Sequence, residues 1–256
     1  MADQLALPLD ASVADRLPDL PDLRPMLPRP LPEPFDSEDH LFEPWWGGVR
    51  VLAQVGPSET AGNGEVRISD VAGRDLTSAL PELAGMAVRL AARSAILDGE
   101  LVLVGHDGRA EDAALAARLR GEPGGAVAFL AFDLLHLDGT DLLGQPLTKR
   151  REALRRTLRP GDEVVAVPAI ATEGRALFAA ISAQGLPGMM ARQRSSPYLP
   201  GVRSRLWRII PAQPGAIPAH ELATAPAEPA ALDPEAAVAP VLALLSRLPL
   251  EDDPDS

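Results

Sequence analysis

Residues 126–158 read AVAFLAFDLLHLDGTDLLGQPLTKRREALRRTL. The opening run is apolar, rich in aromatic and branched side chains, and short enough for a buried strand. Asp138-Gly139 follows, a pair suited to the positive φ angles of a tight hairpin turn. After the Gly144-Gln145-Pro146 turn, apolar residues recur at helical spacing through TKRREALRRTL, with Thr148 as its expected N-cap. Strand, turn and helix therefore lie within one segment. Flanking runs repeat both patterns. VRVLAQVG, GEVRISDV, SAILDGELVLVG, EVVAVPAI and SRLWRII predict strands, whereas ALPELAGMAVRLAAR, DAALAARLR and GRALFAAISAQ predict helices. The first strands follow one another closely, and helices separate the later ones. This order predicts an α+β domain with largely antiparallel sheets flanked by helices.

The two ends differ from the body. Residues 1–34 are proline-rich and predict an extended acidic arm, because proline removes donors and disfavours helix in its predecessor. Residues 211–256 predict a Pro/Ala-rich acidic tail. Within it, EAAVAPVLALLSRL has the spacing of one short helix, with Asp233 as N-cap and Pro234 in the first turn. The folded domain is expected over 35–210. The formal charge of -12 lies in the ends: nine acids and three bases in 1–40, and eight acids and one base in 211–256. The near-neutral middle argues against a strong electrostatic grip on nucleic acid. No apolar run reaches the length of a membrane span. The acidic start does not read as a signal peptide, so a cytoplasmic location is expected. With no cysteine, there are no disulfides or thiolate metal sites. Lys149 is the only lysine among 24 basic residues. That bias fits GC-rich codon usage, and it leaves one amine for any lysine-dependent chemistry.

Five segments, in order, resemble ATP-dependent DNA ligases, most of all the ligase domain of bacterial end-joining enzymes. FEPWWGGVR is similar to the nucleophile motif E-x-K-x-D-G-x-R. VRISDVAGRDLTSALPEL is similar to the R-S-R-N-G-R-D-L-T segment with its following P-E-L, and AILDGELV to the D-G-E motif. FLAFDLLHLDG and the helix after it resemble the fourth segment. GLPGMMARQRSSPYLPGVRSRLWRII resembles E-G-[VL]-[VM]-x-K, S-P-Y-x-P-G-x-R-S and W-x-K-x-K. The likeness spans residues 24–210. It implies a ligase-type nucleotidyltransferase (ATP-grasp-like) domain, with ATP and Mg as cofactors and nicked DNA or DNA-repair proteins as partners.

In that family a lysine amine attacks the α-phosphorus of ATP and releases pyrophosphate; AMP then passes to a DNA 5′-phosphate. Here the resemblance puts Trp45 at the lysine and Gly47 at the motif's aspartate. The indole nitrogen is a donor only, with no usable lone pair. Arginine bias does not explain a tryptophan. Further along, Pro187 replaces a glutamate and Arg192 a lysine, and the last two lysines correspond to Arg208 and Ile210. Retained positions suggest a partial nucleotide site: Glu43 toward adenine, Arg50 and Glu100 toward phosphate or ribose, Arg67 toward phosphate, and Phe132 as a stacking face. Arg192 and Arg208 keep charge and donors for phosphate. Glu100 is the one metal candidate. Blander readings stand beside these: Asp98-Gly99-Glu100 as a strand turn, Phe132 and Trp207 as core, His136 as structural, and Lys149 as a surface helix residue.

The family's OB-fold domain is not expected, because only 46 residues follow Ile210 and they are too Pro/Ala-rich for a barrel. The reading is a ligase-like nucleotidyltransferase domain without lysyl-AMP chemistry, a pseudoenzyme serving as a binding module in DNA repair. The alternatives are an active ATP-dependent DNA ligase and a non-catalytic nucleotide sensor. Trp45 is expected to fill the space of the lysine and the adenylate phosphate.

Overall fold

The computed structural model describes residues 23–57, 64–105 and 109–213. The tail beyond 213, with its expected helix, lies outside the described residues, as does the arm before residue 23. Two sheets form the body. The first runs β1 (Leu27–Pro30), β11 (Arg203–Pro211), β10 (Gly188–Gln193), β2 (Ser37–Trp45) and β9 (Ile170–Thr172). The second runs β4 (Glu65–Asp70), β3 (Val49–Gly56), β5 (Ala95–Val102), β6 (Ala128–Leu137) and β7 (Thr140–Asp141), with β8 (Val164–Ala166) also beside β6. Among the described strands only β1–β11 and β6–β8 pair in parallel, so the expected antiparallel character holds.

Helices cover the outer faces. Leu177 and Ile181 of α4 (Gly174–Ala183) join Phe42, Met189 and Ile210 in one core. Leu115 of α2 (Asp112–Leu119) and Leu154 of α3 (Leu147–Thr157) pack with Val51, Leu97 and Phe129 in a second core. Each such side chain contributes about 1.5–3 kcal/mol when taken from water. Between the inner faces, Phe132 of β6 meets Trp207 of β11 edge to face at 6.3 Å.

The Asp-Gly turn forms as the sequence requires. Asp138 and Gly139 have φ of 45° and 81°, the signature of a type I′ hairpin. The last part of the proline-rich stretch is extended and packed on the body: Met26 is fully buried, β1 pairs with β11, and the Met26 amide donates to the Tyr198 hydroxyl at 3.0 Å. Other expectations change. Thr148 does not cap α3; the helix begins at Leu147, which is fully buried, with Pro146 as its cap residue. Proline's fixed φ prepares the first turn. Of the helix expected over 79–93, only α1 (Met86–Arg89) is α-helical, after a 3-10 turn at Pro81–Gly85. Asp98-Gly99-Glu100 is not a turn but the middle of β5. Glycine is needed there because a Cβ would stand 2.3 Å from the Phe129 ring.

Candidate functional site

Strand register decides which side chains meet. Residues directly opposite in an antiparallel pair share a face, and alternate residues change face. Across β2, β10 and β11 this gives three rows: Leu41, Arg192 and Trp207; Glu43, Met190 and Ile209; Trp45, Gly188 and Pro211. All face the second sheet, where β6 presents Phe132 and β3 and β5 present Arg50, Asp98 and Glu100.

The first two rows hold a buried ionic and aromatic cluster. The Arg192 guanidinium pairs with Glu43 and lies 3.9 Å from the Phe132 centroid and 4.6 Å from that of Trp207. Arg151 of α3 donates to the Glu43 carboxylate at 2.5 Å and to the carbonyls of Phe132 and Val167. Burial pushes the Arg151 pKa down to about 10, which leaves it charged at neutral pH. Arg50 donates from Nε and Nη2 to the two Asp98 oxygens, each at 2.5 Å, and stands 4.4 Å from the Phe132 centroid. Tyr198 donates to Asp98 at 2.6 Å, and burial followed by the Asp98 charge holds its phenol well above the ordinary pKa. Arg150 grips Asp133 through two bonds; burial nonetheless raises the Asp133 pKa, because desolvation outweighs the guanidinium. Bidentate arginine–carboxylate geometry is the strong form of such contacts, and each member depends on its partner for solvation.

The third row is apolar. Trp45 is 2% exposed and forms a separate core with Met190 and Ile209. Its indole Nε1 finds no acceptor among the described residues, which costs about 1–3 kcal/mol and favours any arrangement that removes it. Gly47, at φ 75°, abuts Pro187: a Cβ would lie 3.1 Å from the proline Cγ.

The expected site residues do not all converge. Glu43, Arg50, Glu100, Phe132 and Arg192 do. Glu100 accepts the Gly48 amide at 2.5 Å. Arg67 is 62% exposed and pairs with Glu65, so it stays outside the cluster. Arg208 lies opposite Ala191 on the other face of the first sheet and donates to the Pro30 carbonyl. Counted from Trp207, W-x-K-x-K places its lysines at Ile209 and Pro211, not at 208 and 210; the inward residues of β11 are those two. Lys149 is 69% exposed beside Glu152, on the outer surface as expected. Asp98, Tyr198, Arg150 and Arg151 escape sequence reasoning. Tyr198 belongs to the quoted S-P-Y segment, but nothing local reveals that it bonds Asp98, and the arginines of α3 read as a solvated helix face.

Two sheets with a buried charged cluster between them and helices packed against them match a nucleotidyltransferase architecture. The ATP dependent DNA ligase domain model matches residues 25–209, and the chain belongs to that family. The multifunctional non-homologous end joining protein LigD of Mycobacterium bovis is 35% identical over 166 residues, which cover 65% of this chain and 21% of LigD. A probable DNA ligase of Sorangium cellulosum is 36% identical over 172 residues, covering 62% of this chain and 31% of that protein. The chain therefore spans under a third of either relative. Among solved structures, mycobacterial DNA ligase D complexed with ATP and MES gives a TM-score of 0.65 at 30% identity, over 75% of this chain and 61% of that one. The ligase domain of M. tuberculosis LigD gives 0.64 at 31%, over 75% and 60%.

The groups expected to hold ATP are engaged with one another in this arrangement. Arginines stand against the Phe132 ring, and Glu43 is committed to two guanidiniums. For a divalent cation, no three His, Asp or Glu side chains converge among the described residues. No helix among them is long and apolar enough to cross a membrane.

Proposed function

We propose that this chain is a ligase-family nucleotidyltransferase domain that forms no enzyme–adenylate and serves as a non-covalent binding module in DNA repair. One observation carries the reading: Trp45, Met190 and Ile209 form an apolar core where the resemblance puts the nucleophile and a phosphate-side lysine. Phosphoryl transfer depends on positioned cationic groups and an activated nucleophile. An indole flanked by a thioether and a hydrocarbon supplies neither. Removing a covalent nucleophile lowers turnover roughly a millionfold in serine proteases, and Lys149 is on the opposite side of α3 from the buried Arg150 and Arg151 contacts.

The test is incubation with α-labelled ATP and Mg²⁺, then Mn²⁺, followed by denaturing electrophoresis. No labelled band is expected. A covalent label mapping to this chain overturns the reading in favour of an active ligase. The DNA-repair role rests on relatives such as the LigD proteins, described as acting in non-homologous end joining. A nicked duplex is expected to be retained at low salt and released as salt rises; no retention at low ionic strength removes the DNA-binding part.

A further inference from the structure

We propose that the base-binding cleft is a guanidinium site occupied in cis, with Arg192 as its built-in ligand. Three features of the cluster argue for it. The Arg192 guanidinium stands in the corner of the perpendicular Phe132 and Trp207 rings, within cation–π distance of both. A planar cation there takes the ring face that a purine would need. Glu43, the residue expected to contact adenine, instead pairs with Arg192 and accepts from Arg151. A purine amine arriving there would meet a carboxylate already engaged by two guanidiniums.

The charges are also closed. Arg50, Arg150, Arg151 and Arg192 face Glu43, Asp98, Glu100 and Asp133, all buried, so the formal charges of the cluster cancel. A family cleft awaiting a triphosphate gains from unbalanced positive charge. This one has none to offer, and adding a polyanion would leave buried charge uncompensated. The position of Arg192 follows from register rather than from a mobile loop. It lies on central strand β10, between Leu41 and Trp207 of its neighbours, and is 2% exposed.

The inference is separate from the missing nucleophile. A domain lacking that lysine but keeping an open stacking face would still bind ATP. The site assigned here takes a planar guanidinium cation and excludes the nucleotide.

The test uses the whole chain. Thermal unfolding of the unaltered protein is expected not to move with millimolar ATP, AMP or methylguanidinium. Arg192→Ala is expected to unfold several degrees lower, to regain at least half of that loss in millimolar methylguanidinium, and to gain nothing from methylammonium, which has the charge without the plane. Should Arg192→Ala not fold, nitrogen-15 spectra of the unaltered chain provide the readout, with Arg192→Lys used for assignment. The Arg192 Nε–H is expected to be slow-exchanging and shifted by the two rings. Stabilisation of the unaltered protein by ATP overturns the inference. So does a folded Arg192→Ala indifferent to methylguanidinium, or an Arg192 Nε–H exchanging like that of an exposed arginine. ATP stabilisation without covalent label would sink this inference while leaving the proposed function standing; a covalent label would sink both.

Discussion

Restoring the family's nucleophile is the sharpest perturbation. In Trp45→Lys, a side chain that is 2% exposed is replaced. A buried tryptophan removes about 150–250 Å² from water, and at about 25 cal/mol per Å² that is roughly 4–6 kcal/mol. The lysine stem recovers about 0.8 kcal/mol for each buried methylene, near 3 kcal/mol in all. The amine then sits against Met190 and Ile209, where desolvation disfavours its charged form and adds to the deficit. Loss of the unpaired indole N–H offsets about 1–3 kcal/mol of this, so the net cost is about 1–3 kcal/mol once the amine is counted. For a domain of this size, each kcal/mol moves the melting temperature by about 2–4 °C, so a loss of roughly 5 °C follows. Circular dichroism melts read the stability, and α-labelled ATP reads the chemistry. No adenylate is expected, because Pro187 and Ile209 still leave the phosphate side without polar partners. A variant that melts with the unaltered protein and takes label would refute this, by showing an open, nearly competent cleft.

Asp98→Ala leaves Arg50 buried without its bidentate partner, and is expected to cost about 3–5 kcal/mol in urea unfolding; Tyr198→Phe, which takes one hydroxyl from the same carboxylate and leaves the buried Met26 amide without its acceptor, should cost about 2–4 kcal/mol. Burial holds the His136 imidazole below its ordinary pKa, against the opposing charges of Asp141 and Asp138. The folded state therefore binds fewer protons there than the unfolded chain, so this stability is present above the ordinary histidine pKa of about 6.5 and is lost as pH falls through it. His136→Asn should flatten the decline in melting temperature between neutral and mildly acidic pH, and an unchanged slope would assign the decline elsewhere. Gly47→Asp combines positive φ with a proline at 3.1 Å and should cost about 1–2 kcal/mol; combined with Pro187→Ala it should show coupling of at least about 0.5 kcal/mol, and additivity would deny the contact. Lys149→Ala is expected to change stability by less than about 0.5 kcal/mol, with no effect on nucleic-acid retention in a shift assay.

Legibility in the sequence followed the physics of each element. Strands β3 to β6 and β11 are dense in branched and aromatic residues, and α2 to α4 carry clean apolar spacing, so local pattern and final structure agree. Strand β10, Gly188–Gln193, is buried on both faces and has no alternation to read. Strand β1 contains two prolines and exists because β11 pairs with it in parallel, a long-range fact absent from its own residues. In the site, the identity of Trp45 was visible from motif spacing. The assignment of the last lysines to 208 and 210 failed by one residue, and in a strand one residue exchanges faces: Arg208 looks out, whereas Ile209 looks in at Trp45. The occupancy of the cleft by Arg192 was not legible, because a motif names a residue and says nothing of what its guanidinium stacks on.

The substitutions in this cleft are better understood as one packed arrangement than as independent losses. An indole at position 45 lies on β10 at Gly188, the motif's own glycine, where an added Cβ would stand 2.4 Å from the Ile210 carbonyl oxygen and 3.0 Å from the indole Cε3, so a retained glycine gives the indole its place. Pro187, one residue earlier, crowds Gly47, where a Cβ would lie 3.1 Å from the proline Cγ. Ile209 and Met190 complete the apolar contact that the indole needs in place of phosphate and water. Trp45, Gly47, Pro187 and Ile209, which depart from the motifs, thus pack together with the motif's own Gly188 and Met190. Stability selects for keeping such a set together, since close neighbours couple strongly and a lone polar reversion buries an unsatisfied group. The same logic extends to the charged half of the cleft. Once no triphosphate is bound, buried arginines without carboxylate partners are costly, and the pairing of Arg192 with Glu43 removes that cost. A closed ionic cluster and an apolar plug are therefore two consequences of one condition, a ligase-type cleft that folds around its own side chains.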